Sequence, residues 1–238
     1  MDVQDHKDKK WDDPVSIVNG CIDTQMKLIS GFKGAQTSDI KKFQEAKNPK
    51  QAAISLIGEP TLYPFLGDLI SEFHKKEMTT FLVTNGTNPD ALEALASALP
   101  TQLYVSLNAP DEETYLKICR PFHNYWIRIN ESLEILSTLN TRTVIRITLA
   151  DGLNIKNPEK YAELIEMARP DFIEVKAYMH LGFSRKRLNR EAMPEHDTVK
   201  DFAEKIASEV GYEVADEVEI SRVVVLSKDG TIEKVSFD

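Results

Sequence analysis

Two short apolar runs constrain this chain most. Ala52–Ile57 stops at Gly58-Glu59-Pro60, and Thr79–Val83 stops at Thr84-Asn85-Gly86. A helix-length amphipathic spacer with Phe65, Leu66, Leu69, Ile70 and Phe73 separates them. Two buried strands joined by a helix read as a parallel βαβ unit. Such folds collect ligands at the carboxyl ends of their strands, where both runs end in polar residues plus a glycine. Any chemistry is therefore expected on that side of the sheet.

The remainder repeats the pattern. Ala91, Leu92, Leu95 and Leu99 form a helical stripe before the run Leu103–Leu107. Trp126, Ile129, Leu133 and Leu136 precede Thr143–Thr148, and Tyr161, Leu164, Ile165 and Ala168 precede Phe172–Lys176. Val199, Phe202, Ala203, Ile206 and Val210 mark a last helix ended by Gly211. Upstream, Asp12-Asp13 and Pro14 open a helix whose face carries Val15, Val18, Ile22, Met26 and Ile29 up to Gly31-Phe32-Lys33-Gly34. The polar stretch from Lys41 to Pro49 reads as a connection. Arg222–Leu226 and Thr231–Val235 flank Asp229-Gly230 as a hairpin.

Alternating strands and helices mean a parallel α/β sheet. No strand end opens into G-x-G-x-x-G or a P-loop, which counts against nucleotide-binding doubly wound folds. Polar residues recur at nearly every strand end: Glu59, Asn85, Ser106 with Asn108, Arg146 with Thr148, Lys176 with Tyr178. One site fed by every strand is the arrangement of a barrel. The expected organisation is a charged linker or frayed end over 1–13, a partial parallel (β/α) barrel over 14–212 and a C-terminal hairpin over 213–238.

The 238 residues are 42% hydrophobic, enough for a sizeable core. No apolar run approaches the ~20 residues of a membrane span. Met1–Lys10 is neither a signal peptide nor an arginine-rich presequence, so the expectation is a soluble cytoplasmic protein without a membrane partner. The net charge of −9 argues against a general nucleic-acid binder, although a local basic patch can still grip RNA. Cys21 and Cys119 are too few and too far apart for a disulfide framework or a zinc site, and no metal ligands are assigned. Cys21 is expected in the core and Cys119 as a buried or half-buried thiol.

Each candidate site residue has a plain alternative. Gly58 lets the backbone come close to a ligand, and Glu59 suits a ligand ammonium or caps the next helix. Thr84 and Asn85 suit a ribose or simply form a turn. Arg146 and Thr148 share one strand face, where an arginine needs an anion, from a ligand or from an internal salt bridge. The stretch Lys176–Arg190 carries Tyr178, His180 and Phe183, then Arg185, Lys186, Arg187 and Arg190 without an acid. It suits phosphate contacts and base stacking, or is a solvated loop. His180 and His196 are possible acid–base groups or structural histidines, and His74 and His123 show no partner.

Several stretches together resemble one family. Trp11–Pro14, Gly31–Gly34, Ala53–Pro64, Thr80–Gly86, Pro100–Ser106, Ala177–Ser184 and Glu219–Val224 are similar to the tRNA 4-demethylwyosine synthases, which are radical S-adenosylmethionine (SAM) enzymes, and most to the archaeal stand-alone form. The resemblance runs from about Trp11 to the end. It implies a partial (β/α)6 barrel acting on tRNA, a lyase that joins pyruvate-derived carbons to N1-methylguanosine of phenylalanine tRNA. It also implies SAM and a [4Fe–4S] cluster. By motif, Glu59 would hold the SAM ammonium, with Gly58 beside it. Thr84, Asn85 and Ser106 would line the adenosyl part, with Asn108 beside them, and Arg146, with Thr148, would face the carboxylate. Lys176, Tyr178, His180, Arg185, Lys186, Arg187 and Arg190 would face the base and tRNA backbone. The catalytic residues stay unassigned.

The family's C-x-x-x-C-x-x-C loop belongs just upstream of Trp11, where Met1–Lys10 has no cysteine. The expectation is a chain truncated at its first barrel strand and inactive alone, its missing N-terminal part or partner chain supplied elsewhere. The alternatives are a non-catalytic tRNA- or SAM-binding module, and an unrelated barrel using Glu59 or Lys176 for proton transfer.

Overall fold

The computed structural model describes residues 10–35, 37–233 and 235. Its strands are β1 (Gln51–Ile54), β2 (Thr79–Thr84), β3 (Gln102–Ser106), β4 (Arg142–Leu149), β5 (Phe172–Ala177), β6 (Glu213–Val218) and β7 (Val223–Ser227). Its helices are α1 (Pro14–Ser30), α2 (Ile40–Ala46), α3 (Leu66–Lys75), α4 (Pro89–Ala94), α5 (Glu112–Cys119), α6 (Trp126–Leu136), α7 (Pro158–Ala168) and α8 (His196–Val210).

The sheet order is β1-β2-β3-β4-β5-β7-β6, and β1 to β5 are parallel. Strands that neighbour each other in chain order, all crossing over with the same hand, wind in one direction and put their helices on one face. The side chains alternate accordingly. Leu82, Leu103, Val105, Ile145, Ile147, Ile173 and Val175 are buried against Ile70, Leu92, Leu133, Tyr161, Ile165, Val199 and Phe202 from the helices. Phe81, Tyr104, Arg146, Thr148, Glu174 and Lys176 occupy the other face and are half-buried. A one-sided sheet with an open inner face is the partial barrel that the strand-end pattern implied.

The first helix begins as expected: Asp13 accepts from the Ser16 amide at 3.0 Å and Pro14 fills the first turn. Its buried face is narrower than the stripe. Val18 joins Ala52, Leu69, Phe73 and Met78 in a small second core, whereas Val15 is half exposed and Cys21 is exposed rather than in the core. The reason is that α1 packs mainly on α3 and buries one side only. Trp11 packs edge-on against Tyr63, whose hydroxyl donates to Asp12 O at 2.7 Å, so this end of the segment is tied down.

Two expectations change. Residues 40–46, read as a connection, form α2, because Asp39 accepts from the Lys41 and Lys42 amides and starts two turns that leave Ile40 exposed and Phe43 half-buried. The hairpin is made by β6 and β7, and Thr231–Glu233 is not a strand. Strand β7 is already paired with β5 on one side and β6 on the other, which leaves no edge for a following arm. Asp229 instead closes a local turn by accepting from the Thr231 amide at 3.1 Å. Among the described residues the outer strands of the sheet are β1 and β6.

Candidate functional site

The carboxyl ends of β1 and β2 meet at Glu59. Its side chain caps the short 3-10 turn Pro60–Leu62 and accepts from the Thr61 amide at 3.1 Å and hydroxyl at 2.8 Å. From the neighbouring strand end, Thr84 Oγ1 donates to Glu59 Oε1 at 2.6 Å and the Asn85 amide to Oε2 at 2.9 Å. Four donors converge on one carboxylate, three of them on Oε1, so Oε2 keeps the spare acceptor capacity. Thr84 is buried, and its role here is to hold Glu59. Gly86 is required as glycine: its φ is +72°, and a Cβ would stand 3.2 Å from Val105 Cγ1.

Gly58, Glu59, Asn85, Ser106 and Asn108 line a cavity of about 340 Å³. Its far wall is apolar, from Tyr115, Phe122, Tyr125, Trp126 and Ile129 on α5, α6 and the loop between them. Burial pushes the Tyr115 hydroxyl up to about 12, so it stays protonated across the physiological range.

A second cavity, of about 410 Å³, opens over β4 and β5 and is lined by Thr148, Tyr178 and Arg187 among others. Asn108 and Cys119 line both cavities and stand between them. The Cys119 thiol is pushed up by burial, against the pull of the Arg187 charge, and is held neutral. Asn154 ties this region together: its side chain donates to Asn108 O at 2.9 Å and Thr148 O at 2.8 Å, and accepts from the Ala150 amide at 2.7 Å. The Thr148 amide in turn donates to Asn108 Oδ1 at 3.1 Å. Tyr178 orders the basic loop, with its hydroxyl 3.0 Å from Ser184 O and 3.2 Å from His180 Nδ1. Arg185, Lys186, Arg187 and Arg190 are exposed.

Arg146 has an internal partner. Its Nε lies 2.8 Å from Glu174 Oε1, its Nη2 donates to Oε2 at 3.2 Å, and its guanidinium stacks 4.5 Å from the Tyr104 ring centroid. It lies beside Ser106 in the β3–β4 register, on the inner face rather than among the residues lining either cavity. Lys176 is paired with Thr148 in register on the same face.

His74, His123 and His196 make contacts within the fold. His74, read as partnerless, lies with Nε2 2.9 Å from Thr80 Oγ1, and burial holds its pKa below the ordinary value. His123, also read as partnerless, packs edge-on against Tyr125. His196 pairs with Glu217 at 3.1 Å, joining α8 to β6. Sequence reasoning missed Asn154 and Glu174. Nothing marks Asn154 in the sequence, but Glu174 was findable, since strand alternation puts it on the face that Arg146 occupies.

The sequence profile of the Radical SAM superfamily matches residues 38–165, more than half of the chain, and that for wyosine base formation matches residues 167–228. A tRNA 4-demethylwyosine synthase of Methanocaldococcus jannaschii is 41% identical over 96% of this chain and 72% of its own length. The chain belongs to the tRNA 4-demethylwyosine synthase family of radical SAM enzymes. The synthase of Pyrococcus horikoshii is 52% identical over 92% of this chain, which spans 65% of that relative's length. A solved structure of TYW1 with a lysine–pyruvate adduct superposes with a TM-score of 0.85 at 40% identity, covering 95% of this chain and 73% of the other.

Radical SAM membership implies SAM and an iron–sulfur cluster, and the two fare differently here. Cys21 is exposed on α1 and Cys119 ends α5, and among the described residues no three His, Cys, Asp or Glu side chains are grouped to hold a metal. SAM fits better: the first cavity pairs an acidic end at Glu59 with amide and hydroxyl groups and an apolar wall, which matches an ammonium, a ribose and a purine. No described helix is long and apolar enough to cross a membrane.

Proposed function

We propose that this chain supplies the SAM-binding and tRNA-facing portion of a tRNA 4-demethylwyosine synthase, in which pyruvate-derived carbons are joined to N1-methylguanosine. The observation that carries the reading is the convergence of Glu59, Asn85, Ser106 and Asn108 on one half-apolar cavity. Bound SAM supplies the adenosyl group on which this family's chemistry rests. Glu59 Oε2, held by the Asn85 amide, is aligned to accept from the ligand ammonium in a charge-assisted hydrogen bond. Ser106 and Asn85 offer the hydroxyl and amide that a ribose needs. Arg146, already oriented by Glu174 and Tyr104, is assigned to the ligand carboxylate, and Thr148 sits at the edge of the neighbouring cavity. Lys176, Tyr178, His180 and the cations of 185–190 are assigned to the RNA side.

Isothermal titration with SAM tests this. The wild-type chain should bind, and Glu59→Ala should lose about tenfold or more in affinity, the scale of a hydrogen bond to a charged group. Absence of SAM binding by the wild type, or equal binding by Glu59→Ala, overturns the assignment.

A further inference from the structure

The second cavity carries an inference about a part of the chain that the assignments above leave out. Its lining includes Lys117, Arg120 and Arg187 and contains no carboxylate, although the chain as a whole has a net charge of −9. The remaining lining is neutral: Thr148, Tyr178 and Ser184 with the apolar Ala150, Leu153 and Leu188. Positive charge is thus gathered at one opening of an acidic protein.

Two loops form the sides of that opening. On one side is the 3-10 segment Gly182–Lys186, and on the other the end of α5 and the residues that follow it. Arg187 Nη2 donates to Ile118 O at 3.4 Å, so the two sides are in contact. Phe183, on the first side, is 81% exposed, and Phe122, two residues past Arg120 at the rim of the first cavity, is 86% exposed. Lys186 lies 5.0 Å from the Phe183 ring centroid. Arg120, just before Pro121-Phe122, adopts a left-handed backbone with φ +46°, which ends α5 abruptly and starts the 121–125 loop. The acids of that side are Glu112 and Glu113 in the first turn of α5; Glu112 accepts from Asn124 Nδ2 and so stands against the 121–125 loop, where that bond uses one of its oxygens.

Exposed aromatic rings on the segments that carry these cations, next to a cavity without a carboxylate, match single-stranded nucleic acid: bases stack on the rings and phosphates meet the cations. We propose that the end of α5 and the loop behind it form a second RNA-contacting side of the site, opposite the basic loop. Phe122 stacks a base of an unpaired loop, Lys117 and Arg120 meet its phosphates, and the cavity between the two sides receives an unstacked nucleotide. This rests on the tRNA reading above and adds Lys117, Arg120 and Phe122 to it.

The test is fluorescence anisotropy with a labelled anticodon stem-loop RNA across a salt series, using the full chain. Phe122→Ala should weaken binding about tenfold with the salt slope unchanged, and Phe122→Trp should restore it, because stacking carries no counterion term. Lys117→Gln and Arg120→Gln should each lower the slope of log K against log salt by roughly 0.7. Lys205→Gln, on the exposed side of α8, should change neither. If the wild type binds and the Phe122, Lys117 and Arg120 variants match it, the second side is refuted while the tRNA reading stands. If the wild type does not bind the RNA at low salt, both fall.

Discussion

Thr84 Oγ1 and Glu59 Oε1 are joined by a 2.6 Å hydrogen bond that fastens the end of β2 to the turn after β1. The residue that the ligand would meet is thus also the residue that holds two strand ends together. Glu59 Oε1 satisfies the cap donors of Thr61 and the Thr84 hydroxyl, while Oε2 takes the Asn85 amide alone and keeps spare acceptor capacity.

Glu59→Gln should therefore not be a conservative change. One of its two terminal groups becomes an NH2, which cannot accept from both the Thr84 hydroxyl side and the Asn85 amide. The expected cost is about 1–3 kcal/mol of stability, the penalty for an unsatisfied donor. Urea denaturation measures it; a variant as stable as wild type would mean that the Asn85 contact contributes nothing.

Asn154 is 1% exposed and spans the β3 and β4 ends through three hydrogen bonds. Asn154→Leu should cost about 2–4 kcal/mol, since two carbonyls and an amide lose their partner. Asn154→Asp should be no rescue, because a carboxylate has no hydrogens for Asn108 O and Thr148 O. Thermal unfolding of both variants checks this, and a stable aspartate variant would refute the donor assignment.

Arg146 and Glu174 should show coupling in a double-mutant cycle. Removing either partner alone strands a half-buried charge on the inner face, whereas replacing both with Met and Leu removes the need. The expected interaction is about 0.5–3 kcal/mol. Additive effects in denaturant unfolding would mean that each group is satisfied by water.

Asp111 predicts part of the acid limb. Hydrogen bonding by Thr114, with the Lys160 ammonium behind it, holds its carboxyl down at about 2, below the ordinary 3.8. A depressed carboxylate contributes stability that is complete above the unfolded value and is lost as pH falls through the folded one. Wild-type stability should fall more steeply between pH 3.8 and about 2 than that of Asp111→Asn. Parallel curves from pH-dependent denaturation would rule Asp111 out.

The β1 edge should associate. Among the described residues strand β1 has one neighbour, and Leu56 and Ile57 just beyond it are 94% and 92% exposed. An open edge next to apolar side chains is a template for pairing. Sedimentation velocity should detect concentration-dependent dimers or larger species that Ile57→Lys reduces. A monomer at all concentrations would show the edge to be harmless.

Much of this was legible in the sequence because burial leaves a periodic trace. Five parallel strands, their helical stripes and the polar strand ends all follow from apolar spacing and from glycine positions such as Gly86. Features that depend on who stands opposite were not legible in the same way. The 231–235 arm looked like a strand, but whether a strand pairs depends on a free edge, and β6 had taken it. Residues 40–46 carried too few apolar positions to announce a helix that one aspartate could start. Cys21 sat on a plausible stripe, and only the one-sided packing of α1, mainly on α3, decides that it faces water.

The sequence by itself determined the class of sheet, the side on which polar groups gather and the family resemblance, since these depend on residue order along the chain. The tertiary structure alone decided how those groups are committed. Glu59 is shared between a cap and a strand end, Arg146 already has Glu174, and Lys117, Arg120 and Arg187 meet around one cavity although they span seventy residues of sequence. Hydrogen bonds and charge fields act across space over a few ångströms, and only the folded chain sets those distances.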